Sequence, residues 1–117
     1  MLLVDTSIWI DHFQVGVPEL SEALLQEQVG THPFVLGELS SGSLRRRTEV
    51  LFDLNQLPLV EVAEHEEVMT LLERHRLWGR GLTWIDLHLL TSARLSGATL
   101  WTRDKALRSA WQQFRRV

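Results

Sequence analysis

Four acidic residues of this chain sit among residues that belong in a core. Asp5 ends the apolar opening "MLLV" and is followed by Thr6 and Ser7, Glu38 lies in "FVLGELSSG", Asp86 in "LTWIDLHLL", and Asp104 follows "ATLWTR". Carboxylates gathered in a partly buried pocket repel one another, and their pKa values rise unless a cation neutralises them. An all-oxygen set, in a chain with no cysteine and no histidine pair at ligand spacing, favours Mg2+ or Mn2+ over Zn2+. Mg2+ keeps several waters, one of which can become a nucleophile, and carboxylates with Mg2+ and water are suited to phosphodiester hydrolysis. Thr6, Ser7 and Thr102 place hydroxyls beside Asp5 and Asp104, where they can orient a carboxylate or a metal-bound water.

Each acid taken alone has a plainer reading. Asp5 or Thr6 can cap the helix that follows, and "TWID" reads as a capping box between Thr83 and Asp86. Glu38 can be a solvated helix residue, and Asp104 can complement a helix dipole with Thr102 as the cap. Capping is a local matter, whereas a metal site needs all four acids at one edge of the fold.

The elements that would bring them there are short strands alternating with helices. Leu2 to Val4 reads as a strand, and "DTS" turns the chain into a helix holding Ile8 and Trp9. "VPELSEALLQEQ" is an amphipathic helix with Gly30 as its stop, "VGTHP" a weak strand, and "FVLGELSSG" a brief helix ended by Gly42. "RRRTEVLFDLNQL" forms a helix closed by Pro58, "LVEV" is strand-like, and His65 to about Leu77 is helical. "LTWIDLHLLTSARLSG" has the clearest helical spacing, "ATLWT" is a strand, and "RDKALRSAWQQF" is a final helix with Leu107, Ala110, Trp111 and Phe114 on one face. This alternation predicts an α/β fold, a three-layer α/β/α sandwich around a parallel sheet of three to five short strands. Parallel sheets place ligands outside the carboxyl ends of their strands. Asp5 and Asp104 follow two such ends and converge if those strands are neighbours.

Composition sets the outer limits. A chain of 117 residues, 44% hydrophobic and 23% charged, has the make-up of a folding globular domain, and one domain spanning 1–117 is expected. Without cysteine there is no disulfide framework, and a cytoplasmic location is the simplest expectation. The opening apolar run is broken by Asp5 and Asp11 and lacks a basic lead and a cleavage site, so neither a signal peptide nor a membrane span is expected. A formal net charge of −3 argues against a protein that grips nucleic acid by bulk charge. The charge is nevertheless divided: residues 1 to 67 hold 12 acids and 3 bases, and residues 68 to 117 hold 3 acids and 9 bases. A basic face beside an acidic pocket is compatible with that division, as are solvated helix faces of opposite sign.

Taken together and in order, "LLVDTSIWIDHF", "FVLGELSSG", "GLTWIDLHLL" and "LWTRDKAL" resemble the PIN-domain ribonucleases, and among them the VapC-type toxins of toxin–antitoxin pairs. The resemblance extends from residue 2 to about residue 107. It implies a PIN-like α/β/α sandwich, an acidic pocket holding Mg2+ or Mn2+, endoribonuclease activity, a homodimer and a cognate antitoxin as partner. The family's four acids fall on Asp5, Glu38, Asp86 and Asp104. Where many relatives carry a further acid or an aromatic after the fourth acid, this chain has Lys105, Ala106 and Leu107, which bears on a second metal position.

RNA requires positive groups near the acids. Arg103 and Lys105 flank Asp104, Arg80 lies on the "GRG" break, and Arg108 and the run Arg45 to Arg47 are further candidates. Trp9, Trp78, Trp84 and Trp101 can stack on bases, although Trp9, Trp84 and Trp101 lie in apolar runs that read rather as core or dimer contacts. His88 reads as a satisfied core histidine. Two other functions compete: a PIN-like partner-binding module without catalysis, and a phosphoacceptor receiver domain. A receiver needs paired acids after the first strand and an aspartate after the third; here Asp5 stands alone and "LVEVAEH" offers no aspartate.

Overall fold

The computed structural model describes residues 1–114. Three parallel strands, β1 (Leu2–Val4), β2 (Val29–Gly30) and β3 (Thr99–Trp101), lie in the order β2-β1-β3. Around them run α1 (Thr6–Val15), α2 (Pro18–Leu25), α3 (Pro33–Ser41), α4 (Arg47–Leu54), α5 (His65–Arg74), α6 (Trp84–Ser96) and α7 (Lys105–Phe114). Successive strand residues point to opposite faces of a sheet. Leu3 and Val4 are both fully buried, so helices cover both faces of the central strand, as a parallel sheet requires.

The chain leaves β1 for β2 on one side and returns through α3 to α6 to β3 on the other. The carboxyl end of β1 is therefore the switch point of the sheet, where the two connections diverge and leave a crevice. Asp5 occupies that end.

Three expectations change in detail. α2 stops at Leu25, with Glu27 in the left-handed region (φ 55°), and Gly30 lies instead in β2. A Cβ on Gly30 would stand 2.5 Å from Met1 Sδ, so the glycine admits the N-terminal residue. "LVEV" forms only a bridge, Leu59 to Thr31, because its later amides donate to side chains: Glu61 N to Ser96 Oγ (2.8 Å) and Ala63 N to Ser92 Oγ (3.0 Å). α5 ends at Arg74; Arg76 turns left-handed (φ 53°), and the Leu77 amide bonds back to Leu72 O at 3.0 Å, tucking the Leu77 side chain into the core.

α6 is the most buried helix, with every residue from Leu87 to Ala93 inside. Gly97 ends it at φ 66°, a conformation that costs other residues more. The exposed and buried sides of α7 divide cleanly, with Leu107, Ala110, Trp111 and Phe114 inward. Among the described residues no helix is long and apolar enough to cross a membrane.

Candidate active site

β1 and β3 are neighbours in register, Val4 opposite Trp101, and the Asp5 amide extends the ladder by donating to Trp101 O at 2.9 Å. Asp5 and Thr102 thus leave the sheet side by side. Thr102, buried at 4% exposure, donates its hydroxyl to Asp5 Oδ2 at 2.7 Å. Asp5, 9% exposed, also accepts from Thr6 N at 2.8 Å through Oδ1 and from Ser7 Oγ at 3.4 Å through Oδ2. Its carboxylate caps α1 and is held from three directions.

Thr6 links the second acid to the first. Its hydroxyl donates to Glu38 Oε1 at 2.8 Å, so α1 and α3 are joined at this edge and Glu38 is aimed at the start of α1. Asp86 is the third residue of α6 and forms the capping box read from "TWID": Thr83 N donates to Asp86 Oδ2 at 2.9 Å, and Asp86 N to Thr83 Oγ1 at 3.0 Å. Burial pushes the Asp86 carboxyl above the ordinary aspartate range; the Thr83 bonds oppose this, and the charges of Asp104 and Asp5 add to it. Asp104 accepts from Leu107 N at 3.1 Å and its amide donates to Thr102 Oγ1 at 3.1 Å. Thr102 therefore touches both Asp5 and Asp104.

Capping holds here: Asp5, Asp86 and Asp104 each satisfy amides of a helix start. Asp5 and Asp104 also lie near enough for their charges to be felt at Asp86. Among the described residues no three acidic or histidine side chains close far enough to hold a metal ion between them. Mg2+ is commonly bound through one or two carboxylates with waters completing the shell. A purely oxygen donor set, and an Asp86 carboxyl raised by burial and further by neighbouring negative charge, suit such an ion.

This strand–acid–helix edge, with its acids at Asp5, Glu38, Asp86 and Asp104, is the setting in which the family comparison is decisive. The PIN domain family matches residues 2–110. The chain belongs to the PIN domain family. Two curated relatives, each named Ribonuclease VapC32 and drawn from two strains of Mycobacterium tuberculosis, are 48% identical over 111 residues, covering 94% of this chain and 90% of theirs. The three-stranded parallel sheet flanked by helices is the architecture of this PIN domain.

The basic residues are less evenly placed than the sequence suggests. Arg103 pairs with Asp11 of α1, Arg80 donates to Gln113 Oε1 at 2.8 Å, and Lys105 is exposed at the start of α7. Arg46 pairs with Glu49, and Arg47 donates to Ser40 O at 2.8 and 3.2 Å, so that run serves its own loop and helix. Trp9 is buried, but Trp84 is 38% exposed and packs on His65 and His88 rather than in the core. His88 is buried between the rings of Phe34 and Trp84, and its Nδ1 finds no partner among the described residues, so it is a core histidine without being satisfied. His32 carries no signal in the sequence beyond its place before Pro33, yet it is fully buried and its Nδ1 caps α3 by accepting from Phe34 N at 3.0 Å.

Thr102→Val tests the bridge between Asp5 and Asp104. The swap keeps the shape, removes a donor to Asp5 and an acceptor for the Asp104 amide, and is expected to cost about 1–3 kcal/mol of stability in urea melts. RNA cleavage is expected to fall about tenfold or more, one decade corresponding to about 1.4 kcal/mol.

Proposed function

We infer that this PIN domain is an endoribonuclease of the VapC toxin type, and that Asp5, Glu38, Asp86 and Asp104 are its catalytic and metal-binding residues. The observation that carries the reading is the convergence of Asp5 and Asp104 on Thr102 at the switch point of the sheet, with the Asp86 carboxyl raised by burial and, to a smaller extent, by both. Asp5 and Asp86 would hold Mg2+, or Mn2+ in its place, with Glu38 and Asp104 completing the site. When bound, the cation supplies a water acidic enough to attack phosphorus and positive charge against the developing phosphoryl oxygens.

The protein's own groups do the rest. Thr6 N, Ser7 and Thr102 fix the Asp5 carboxylate so that its remaining lone pairs need no reorganisation on binding. Glu38, exposed and steadied by Thr6, accepts the proton of the attacking water. The fixed capping box sets where the Asp86 carboxylate points. Hydrolysis frees a 3′ oxygen as the leaving group. Arg80, Arg103 and Lys105, from the basic half of the sequence, would meet the RNA backbone, Arg103 by exchanging Asp11 for phosphate.

A VapC-type toxin acts as one member of a pair. The partners proposed are RNA as substrate, a second copy of the chain in a homodimer, and a cognate antitoxin that silences cleavage, all in the cytoplasm.

Purified chain incubated with single-stranded RNA and Mg2+ is expected to cut it. EDTA should abolish cleavage, and either Mg2+ or Mn2+ in excess should restore it. Intact RNA under all these conditions, from a chain that binds Mg2+ by calorimetry, would leave a partner-binding module without catalysis.

A further inference from the structure

An RNA strand brings a phosphodiester charge toward four carboxylates, on a chain whose formal net charge is −3. Affinity for RNA comes mainly from cations that meet phosphates, so a positive group with its charge intact must stand beside the acids. Arg103 has its charge answered by Asp11. Arg80, bonded to the neutral Gln113, and Lys105, exposed at the start of α7, keep theirs but, among the described residues, bond to no group that holds the acids.

Arg108 differs. It lies one turn into α7, its amide donating to Asp104 O at 2.9 Å. Its guanidinium reaches back to Thr102, Nε and Nη2 donating to the backbone oxygen at 3.4 and 3.3 Å. A carbonyl carries no formal charge, so the guanidinium keeps its own, and among the described residues no carboxylate forms an ion pair with it. The residue it leans on is the one whose hydroxyl holds Asp5. The two bonds are long and easily exchanged, and Arg108 is exposed. Arg47 makes a similar contact with Ser40 O, but Ser40 bonds to none of the four acids.

We propose that Arg108 is a phosphate-binding residue of the active site, its guanidinium taking a non-bridging oxygen of the RNA backbone beside the bond to be cut. The proposal rests on the ribonuclease reading for the meaning of that bond. A planar fork that binds two oxygens or one oxygen edge-on suits arginine, and lysine would supply charge without the fork.

The test separates binding from cleavage. Full-length chain carrying Asp5→Asn is titrated with fluorescein-labelled, mixed-sequence single-stranded RNA across a salt series, with and without Arg108→Ala. The added substitution should weaken binding about tenfold and reduce the slope of log affinity against log salt by about 0.7, the value for one phosphate on a single strand. Arg108→Lys should restore the slope but only part of the affinity. Arg74→Ala, which removes the same charge from the last turn of α5, should leave the slope unchanged. In chains with Asp5 intact, Arg108→Ala should raise KM for RNA more than it lowers kcat. Circular dichroism confirms that each variant is folded; should Arg108→Ala fail to fold, Arg108→Gln takes its place in the series. An unchanged slope on removing the guanidinium, an equal loss with Arg74→Ala, or no RNA binding by the parent chain overturns the proposal. Normal slope loss in a chain that never cuts RNA would instead overturn the ribonuclease reading and leave the phosphate contact standing.

Discussion

Asp5→Asn is expected to abolish Mg2+-dependent RNA cleavage while leaving the chain folded. The carboxylate accepts from Thr6 N, Ser7 Oγ and Thr102 Oγ1. Asparagine keeps an oxygen for the Thr6 amide, and its amide nitrogen can donate to hydroxyls that rotate to accept, so the local network survives at a cost of about 1 kcal/mol. The charge does not survive. A neutral amide is a poor ligand for a hard divalent cation in a site built from carboxylates, and Asp86 then loses one of the two charges that raise its pKa. Cleavage should fall by at least about a hundredfold, equivalent to about 2.7 kcal/mol in the barrier, with weaker Mg2+ binding in calorimetry and little change in the urea midpoint. A variant that cuts RNA at the parent rate would remove Asp5 from the mechanism.

Mild acid is expected to weaken the fold through His32. The ring is fully buried; burial, with a smaller contribution from the charge of His88, holds its pKa down at about 4 against 6.5 for a free histidine. Its Nδ1 accepts from Phe34 N at 3.0 Å, which leaves the proton on Nε2, 3.1 Å from Ser92 Oγ. Ser92 Oγ also accepts from Ala63 N at 3.0 Å, so one neutral imidazole ties α3 and α6 to the segment before α5. The unfolded chain takes up a proton below 6.5 and the folded chain only near 4. His32 therefore costs nothing above the upper value, and the fold loses stability progressively as pH falls between the two. The full loss is on the order of 3 kcal/mol. Burial depresses His75 and His88 as well, which steepens the trend. Urea melts at neutral pH and near pH 5 should show a smaller loss for His32→Asn, whose side chain can cap α3 and cannot charge. Equal losses in the two chains would clear His32. The consequence reaches the site, because α3 carries Glu38, and a protonated His32 cannot accept from the first turn of that helix.

Local pattern was enough to locate most elements. The apolar run before Asp5, the alternation of short strands with helices, and "TWID" with Gly97 downstream define β1, α6 and the parallel character of the sheet from residues close together in sequence. The errors fall where a distant residue decides. "LVEV" has a strand's composition, but the hydroxyls of Ser92 and Ser96, far along the chain, take amides that a neighbouring strand would otherwise have received. α5 stops early because Leu77 is worth more in the core than on another helical turn. Trp84 reads as core by its neighbours in sequence and proves half open, since only the packing of α5 against α6 reveals which side of the helix faces water.

The acids themselves were legible from their apolar flanks and their order, because a carboxylate placed among core residues needs either a cap to satisfy or a cation to hold, and sequence records that company directly. The capping roles of Asp5 and Asp86 were legible for the same reason, their partners lying within three residues. Asp104 reads as a first-turn acid capped by Thr102, whereas it stands just before α7 and is itself the cap, accepting from Leu107 N. What only the tertiary structure decided is how the acids are held together and where charge is left over. The Thr102 hydroxyl on Asp5, the Thr6 hydroxyl on Glu38, the neutralisation of Arg103 by Asp11 and the uncompensated guanidinium of Arg108 depend on β1 pairing with β3 and on α1 meeting α3. Those contacts join residues up to 97 positions apart, and no local periodicity encodes which of several cations along the chain will find an acid first.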